Sequence, residues 1–290
     1  MANKYHVRSI SLPSRSHPST IRVDEELNKI KVWEGTSTST STSIHTSLSL
    51  LEDLYISLED LLNTSSIQHV ISHHRGKKCV EEVLDGSMKI LDICGITRDT
   101  MLEIKENVKS LHSSLRRRKN DSSVERSVAQ YKFFTKKMKK NANKLITSLK
   151  HMDRQVGVSS ILELDHHFVC VIRVLREVIA INLSILQFIL SFLTISSSKS
   201  KSKKWLLVAK VMHKGVITCE ENSQNANELQ CVKVALRSLL SDVTDGEKLK
   251  AAHERLKALE NVIESVEIGL ENLFRRLIKT RVSLLNIISQ

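Results

Sequence analysis

Apolar residues recur along most of this chain at alternating steps of three and four, the spacing that lines one face of an α-helix. The clearest run is C-terminal. Leu249, Ala252, Leu256, Leu259, Ile263, Val266, Leu270, Leu273, Leu277, Leu284 and Ile287 hold the alternation, with Thr280 as its one polar member. The 42 residues from Glu247 to Ile288 predict a single helix, about 63 Å long at a rise of about 1.5 Å per residue. A rod of that length must lie along several others or along a second copy of itself, so an intramolecular bundle and a coiled-coil dimer are the two arrangements it allows. A second seam, Val124, Val128, Tyr131, Thr135, Met138, Ala142, Leu145, Leu149 and Met152, repeats the pattern. Shorter stripes are Leu48, Leu51, Tyr55, Leu58 and Leu62, then Val80, Leu84, Met88, Leu91 and Cys94, then Leu102, Val108, Leu111 and Leu115. Gly86 interrupts the Val80–Cys94 stripe and Gly95 follows it directly. Glycine inside a helix costs about 1 kcal/mol relative to alanine, which points to close approach of a neighbouring helix, or to a bend at Gly95.

Residues 178–195 form a run without a charge, followed by lysines at 199, 201, 203 and 204. Such a run sits at the lower limit for crossing a bilayer of about 30 Å. Against a span, Ser184, Gln187, Ser191 and Thr194 fall on one side of the helix, and Arg173, Arg176 and Glu177 continue its period into charged sequence. The reading favoured is a central helix buried nearly all round; a membrane helix is the alternative. Polar segments at Glu220–Asn227 and Asp242–Gly246 serve as connectors.

Composition agrees with helices. Aromatics make up 4%, and the chain has 8 glycines and 2 prolines in 290 residues, too few turn residues for an all-β protein of this size. The predicted fold is all-α: an elongated antiparallel multi-helix bundle with long coiled-coil-like helices and a disordered N-terminal tail. Residues 1–43 are the tail, with a short helix near 23–33, and residues 44–290 the single helical domain. Both prolines, Pro13 and Pro18, fall in the tail, and the alternating Thr/Ser tract from Gly35 to Ser43 reads as a flexible spacer. The cysteines (Cys79, Cys94, Cys170, Cys219 and Cys231) are odd in number and make no Cys-x-x-Cys pair. They read as reduced, mostly buried thiols of a cytoplasmic protein, with no cleavable signal peptide expected.

Charge changes the picture locally. The net charge is +12, and Arg116–Arg154 holds thirteen Lys/Arg against three Asp/Glu, a net of +10. Arg116, Arg117, Arg118, Lys136, Lys137, Lys139 and Lys140 are candidate contacts for an anionic surface such as lipid head groups. Specific nucleic-acid binding is not expected: no known motif is present, and Tyr131, Phe133 and Phe134 are accounted for by the seam and its flank.

The first 23 residues contain no acid. Arg8, Ser9, Ser11 and Pro13 fit the Arg-Ser-x-pSer-x-Pro pattern read by 14-3-3 proteins, in which phosphoserine at 11 would be clamped by arginines and Pro13 would turn the chain away. A transit peptide or a plain basic tail is the alternative.

No catalytic motif emerges: no Gly-x-Ser-x-Gly elbow, phosphate-binding Gly-rich loop, His-Glu-x-x-His or Ca²⁺ loop. The groups His69/His73/Cys79 and Asp165/His166/His167/Cys170 lack a diagnostic metal spacing, and Glu81/Glu82 reads as ordinary helix-face charge. No enzyme activity, metal or cofactor is expected.

Five ordered segments resemble a known family: "HVRSISLPSRSHP" (His6–Pro18), "LEDLYISLEDLL" (Leu51–Leu62), "VLDGSMKILDICGITRD" (Val83–Asp99), "LRRR" (Leu115–Arg118) and "SLLNIIS" (Ser283–Ser289). Together they look like the plant BYPASS-like family, catalogued as a domain of unknown function, and the resemblance runs nearly end to end. Met88-Lys89-Ile90 departs conservatively from its usual Leu-Arg-Leu. The resemblance implies a non-enzymatic helical protein of root and shoot development and the signalling between them, with no catalytic residues to carry over. The function expected is an adapter or regulator with protein partners, 14-3-3 among them; the alternative is a membrane-associated protein using residues 116–154 and 178–195. Oligomeric state is left open.

Overall fold

The computed structural model describes residues 18–37, 40–117, 121–154, 165–194, 227–241 and 245–290. Eight helices account for nearly all of them: α1 (Pro18–Thr36), α2 (Ser41–Leu62), α3 (Ser65–His73), α4 (Lys78–Arg117), α5 (Asp121–Asp153), α6 (His166–Thr194), α7 (Glu228–Ser241) and α8 (Gly246–Ser289). The all-α bundle is as expected, and its axis is the pairing of α4 with α8, the most extensive helix contact among the described residues. The two run antiparallel, since Arg98 meets Glu271, Lys105 meets Glu267 and His112 meets Glu260. Asp245 starts α8 by accepting from the backbone N–H groups of Glu247 and Lys248. Every seam residue from Ala252 to Ile287 is buried. This intramolecular pairing supplies the partner that so long an apolar stripe requires.

The stripe of α4 differs from the expected one. Met88 and Leu102 are exposed, while Val80, Val83, Ile90, Cys94, Thr97, Met101, Ile104, Val108, Leu111 and Leu115 are buried. With Ser87 added, these positions keep an unbroken three-four alternation. Hydroxyl residues hid the register. Ser87 and Thr97 occupy seam positions and satisfy their hydroxyls within the helix, donating to Leu84 O and Ile93 O at 2.7 Å each.

Helix α6 is the central element, packed against α5, α4, α1, α2 and α3. Its apolar residues from Phe168 to Leu193 are buried on several sides, with Ser184 facing out. No helix among the described residues is long and apolar enough to cross a membrane. Most of the 178–195 run is therefore bundle core; position 195 and the lysines that follow lie outside the described residues. Asn182 is fully buried within this run and donates to Val178 O at 2.7 Å.

Close approach explains one glycine noted above and one that was not. A Cβ on Gly86 would come within 2.8 Å of Ile179 Cδ1, and one on Gly269 within 2.7 Å of Leu48 Cδ1. Here the missing side chain lets α6 press on α4 and α2 press on α8. Gly95 makes only ordinary contact, 3.5 Å from Phe274, and α4 runs through it as one helix.

The packed body begins earlier in the chain than the Thr/Ser tract suggested. Pro18 opens α1, where a residue without an N–H costs nothing. Val23, Leu27 and Ile30 are buried against α2 and α6, and Trp33 meets the ring of Phe188 edge-on at 5.1 Å. The tract itself serves the helices on either side of it. Thr36 donates to Val32 O and Trp33 O at the end of α1, and Thr40 caps α2 by accepting from Ser43 N–H. Of the thiols, Cys79 and Cys94 are buried and Cys170 and Cys231 half-buried, while Cys219 lies outside the described residues. Burial pushes the Cys94 thiol up to about 12.

Candidate functional site

The expected basic surface separates into parts once α5 is placed. Its seam packs inward on α6 and α4, with Val124, Val128, Tyr131, Met138, Ala142 and Leu149 buried. From Arg126 to Met152 the helix contains no acid. A three-four spacing puts Phe133, Lys137, Lys140 and Lys144 on one outward stripe, all exposed. Phe133 is not absorbed by the seam as expected: it is 74% exposed, whereas Phe134 packs against the core.

Lys132, Lys136 and Lys139 form a neighbouring stripe that faces α7. There the two helices bound a groove of about 410 Å³, to which α7 contributes Lys233 and Arg237. Tyr131, Leu229 and Leu236 supply its apolar lining, and no acid is among its described lining residues. Lys139 is half-buried. Burial first, and the Lys233 charge second, hold its ammonium below its ordinary value. The Tyr131 phenol is pushed up to about 12 by burial, with a Thr135 hydrogen bond opposing, and so stays neutral.

Helix α7 is set in place by Asn227. Its side-chain oxygen accepts from Gln230 N–H while its amide donates to Phe192 O, tying the start of α7 to the end of α6. That tie brings Lys233 and Arg237 opposite α5.

The seven sequence-predicted cations thus do not make one patch. Lys136 and Lys139 line the groove, and Lys137 and Lys140 point outward. Arg116 and Arg117 are exposed at the end of α4, separated from Lys137 along α5 by a rise of about 24 Å from Asp121 alone. Arg118 lies outside the described residues. So do Arg8, Ser9, Ser11 and Pro13. Sequence reasoning missed Lys132, Lys233 and Arg237. Lys132 stands one helical turn before Lys136 and could have been found from spacing, but nothing local announces that α7 faces it.

Of the candidate metal groups, His69, His73 and His166 are exposed, while the neighbouring His74 packs on the core. His69 stacks with His73 at 6.3 Å between centroids, His74 stacks on Phe168 at 4.1 Å, and His166 Nδ1 lies 3.9 Å from Cys170 Sγ. Among the described residues no three His, Cys, Asp or Glu side chains form a group that could hold a metal. Glu82 receives Arg176 at 2.9 Å.

The family model described as Protein BPS1 matches residues 47–287. No curated protein and no solved structure matches the chain.

Proposed function

Because the chain belongs to the BPS1 family, the BYPASS-like family that its motifs resemble, we propose that it is a non-enzymatic adapter or regulator of plant development, acting in root and shoot signalling. The observation that supports this reading is the outward stripe of α5: cations of one sign, with no acid along the helix from Arg126 to Met152. Exposed like charges on a rigid helix favour an acidic partner and speed its encounter. The N-terminal segment adds a regulated handle, with phosphorylated Ser11 between Arg8, Ser9 and Pro13 offered to a 14-3-3 protein. Affinity purification from plant tissue tests both parts. Lys137→Glu/Lys140→Glu/Lys144→Glu is expected to lose acidic partners and keep 14-3-3, and Ser11→Ala the reverse. Unchanged partners in both variants would sink the adapter reading.

A second reading rests on Phe133. An aromatic ring 74% exposed among lysines is suited to an anionic bilayer surface, the ring entering the interface while the lysines reach head groups. It predicts a peripheral protein released by high salt, with Phe133→Ala weakening recovery on phosphatidylserine vesicles.

A further inference from the structure

The groove between α5 and α7 has a character distinct from the outward stripe. Cations approach it from two helices: Lys132 and Lys136 on one wall, Lys233 and Arg237 on the other. The buried Leu229 and Leu236 line it beside Lys139 and Lys233, which are half-buried, so those two charges are less screened than charges in open solvent. Its volume of about 410 Å³ is that of a small-molecule site. Lys233 is also close enough to Lys139 to disfavour its charged form. Like charges gathered this way repel one another, and a ligand carrying several negative charges relieves that repulsion.

We propose that the α5–α7 groove binds a small ligand bearing several phosphate groups, the chemistry shared by soluble inositol polyphosphates and phosphoinositide head groups. Lysine ammoniums act as point charges on phosphate oxygens, and the Arg237 guanidinium can engage two oxygens of one phosphate. A single carboxylate would leave most of the cations unmatched. An extended nucleic-acid backbone would track the length of the outward stripe, not a bounded groove. The site does not depend on the adapter reading, because it uses residues off the outward stripe.

The test is isothermal titration calorimetry of the full chain with inositol hexakisphosphate at about 0.15 M ionic strength, alongside sedimentation with phosphatidylcholine vesicles carrying phosphatidylinositol bisphosphate. Lys233→Glu/Arg237→Glu is expected to weaken binding by roughly tenfold or more. Lys137→Glu/Lys140→Glu on the outward stripe should change it by less than about threefold. Circular dichroism melting checks that both variants fold, and Lys132→Ala/Lys136→Ala repeats the test from the α5 wall. Groove-dependent binding of the soluble probe alone assigns a soluble ligand. Groove-dependent vesicle binding that the soluble probe displaces assigns the head group. Equal losses in groove and outward variants, or no binding of either probe by the wild type, would overturn the proposal. Loss of protein partners in the outward variants with this binding intact would separate the two readings.

Discussion

The α4–α8 seam and the outward stripe of α5 are built on the same heptad arithmetic and use charge in opposite ways. Along α4, Arg98, Lys105 and His112 are spaced by seven, and each meets an acid on α8, at 2.8 Å to Glu271, 2.6 Å to Glu267 and 2.8 Å to Glu260. Arg98 also lies over the Phe274 ring, 4.6 Å from its centroid. The Arg98–Glu271 and Lys105–Glu267 ion pairs, with the His112–Glu260 hydrogen bond, flank an apolar seam and fix which helix lies beside which, and in what direction. The α5 stripe has no acid along it to match. Paired charge specifies a partner within the chain, and a stripe of one sign, with no salt bridge among the described residues, offers a surface to an acidic partner.

The largest expected effect separates the two regions by stability. Leu270 is fully buried in the seam, and Leu270→Ala should cost about 2–5 kcal/mol in chemical denaturation. Phe133→Ala should stay within about 0.5 kcal/mol of wild type; a comparable loss would mean that Phe133 packs in solution. Next comes Gly269→Ala, which drives a methyl toward Leu48; overpacking of about 1–3 kcal/mol, offset by about 1 kcal/mol of helix propensity, should leave a net loss of up to about 2 kcal/mol. A net gain of about 1 kcal/mol, the full propensity difference, would show that α2 and α8 stand further apart.

Charge reversal is smaller and sharper. Lys105→Glu would face Glu264 and Glu267 and should destabilise by about 1 kcal/mol after allowing for solvent screening. Lys140→Glu should leave stability unchanged or slightly raised, since it relieves repulsion among its lysine neighbours. Equal losses would remove the distinction between paired and unpaired charge.

The smallest effects are read by pH. Burial pushes the Glu59 carboxyl up, but hydrogen bonds from Lys279 and Arg276 outweigh it and hold the group below its ordinary 4.5. The folded state therefore binds this proton less readily than the unfolded chain. The stabilisation is present above 4.5 and lost as pH falls through that value and below. Glu59→Gln should flatten that acid limb in thermal melts. His253 is held below its ordinary 6.5, by burial first and then by His112 and Arg116. Stability should fall as pH drops through 6.5, because the unfolded chain takes up the proton first. His253→Gln should remove that component, and an unchanged profile would show that His253 is solvated in the folded protein.

Legibility followed how much of each element's role lay in its own spacing. The seams of α5 and α8 were readable because nearly every inward position is apolar. The α4 register was obscured at Ser87 and Thr97, whose hydroxyls are satisfied within the helix and so leave no polar cost to announce them. Helix α1 was undervalued because its neighbouring Thr/Ser tract resembles a spacer, although Thr36 and Thr40 bond to helix ends. The basic helix was visible, but its division between groove and outward stripe was not.

The sequence by itself determined that this chain is helical, which faces of α5 and α8 are buried, and where positive charge accumulates, because period and composition are local properties. Tertiary structure decided that α8 takes α4 as its antiparallel partner, that the uncharged run of α6 is core, and that Lys233 and Arg237 stand across from Lys132 and Lys136. Those outcomes depend on which residues far apart in the chain are brought together, and a pairwise meeting leaves no mark in the spacing of either partner alone.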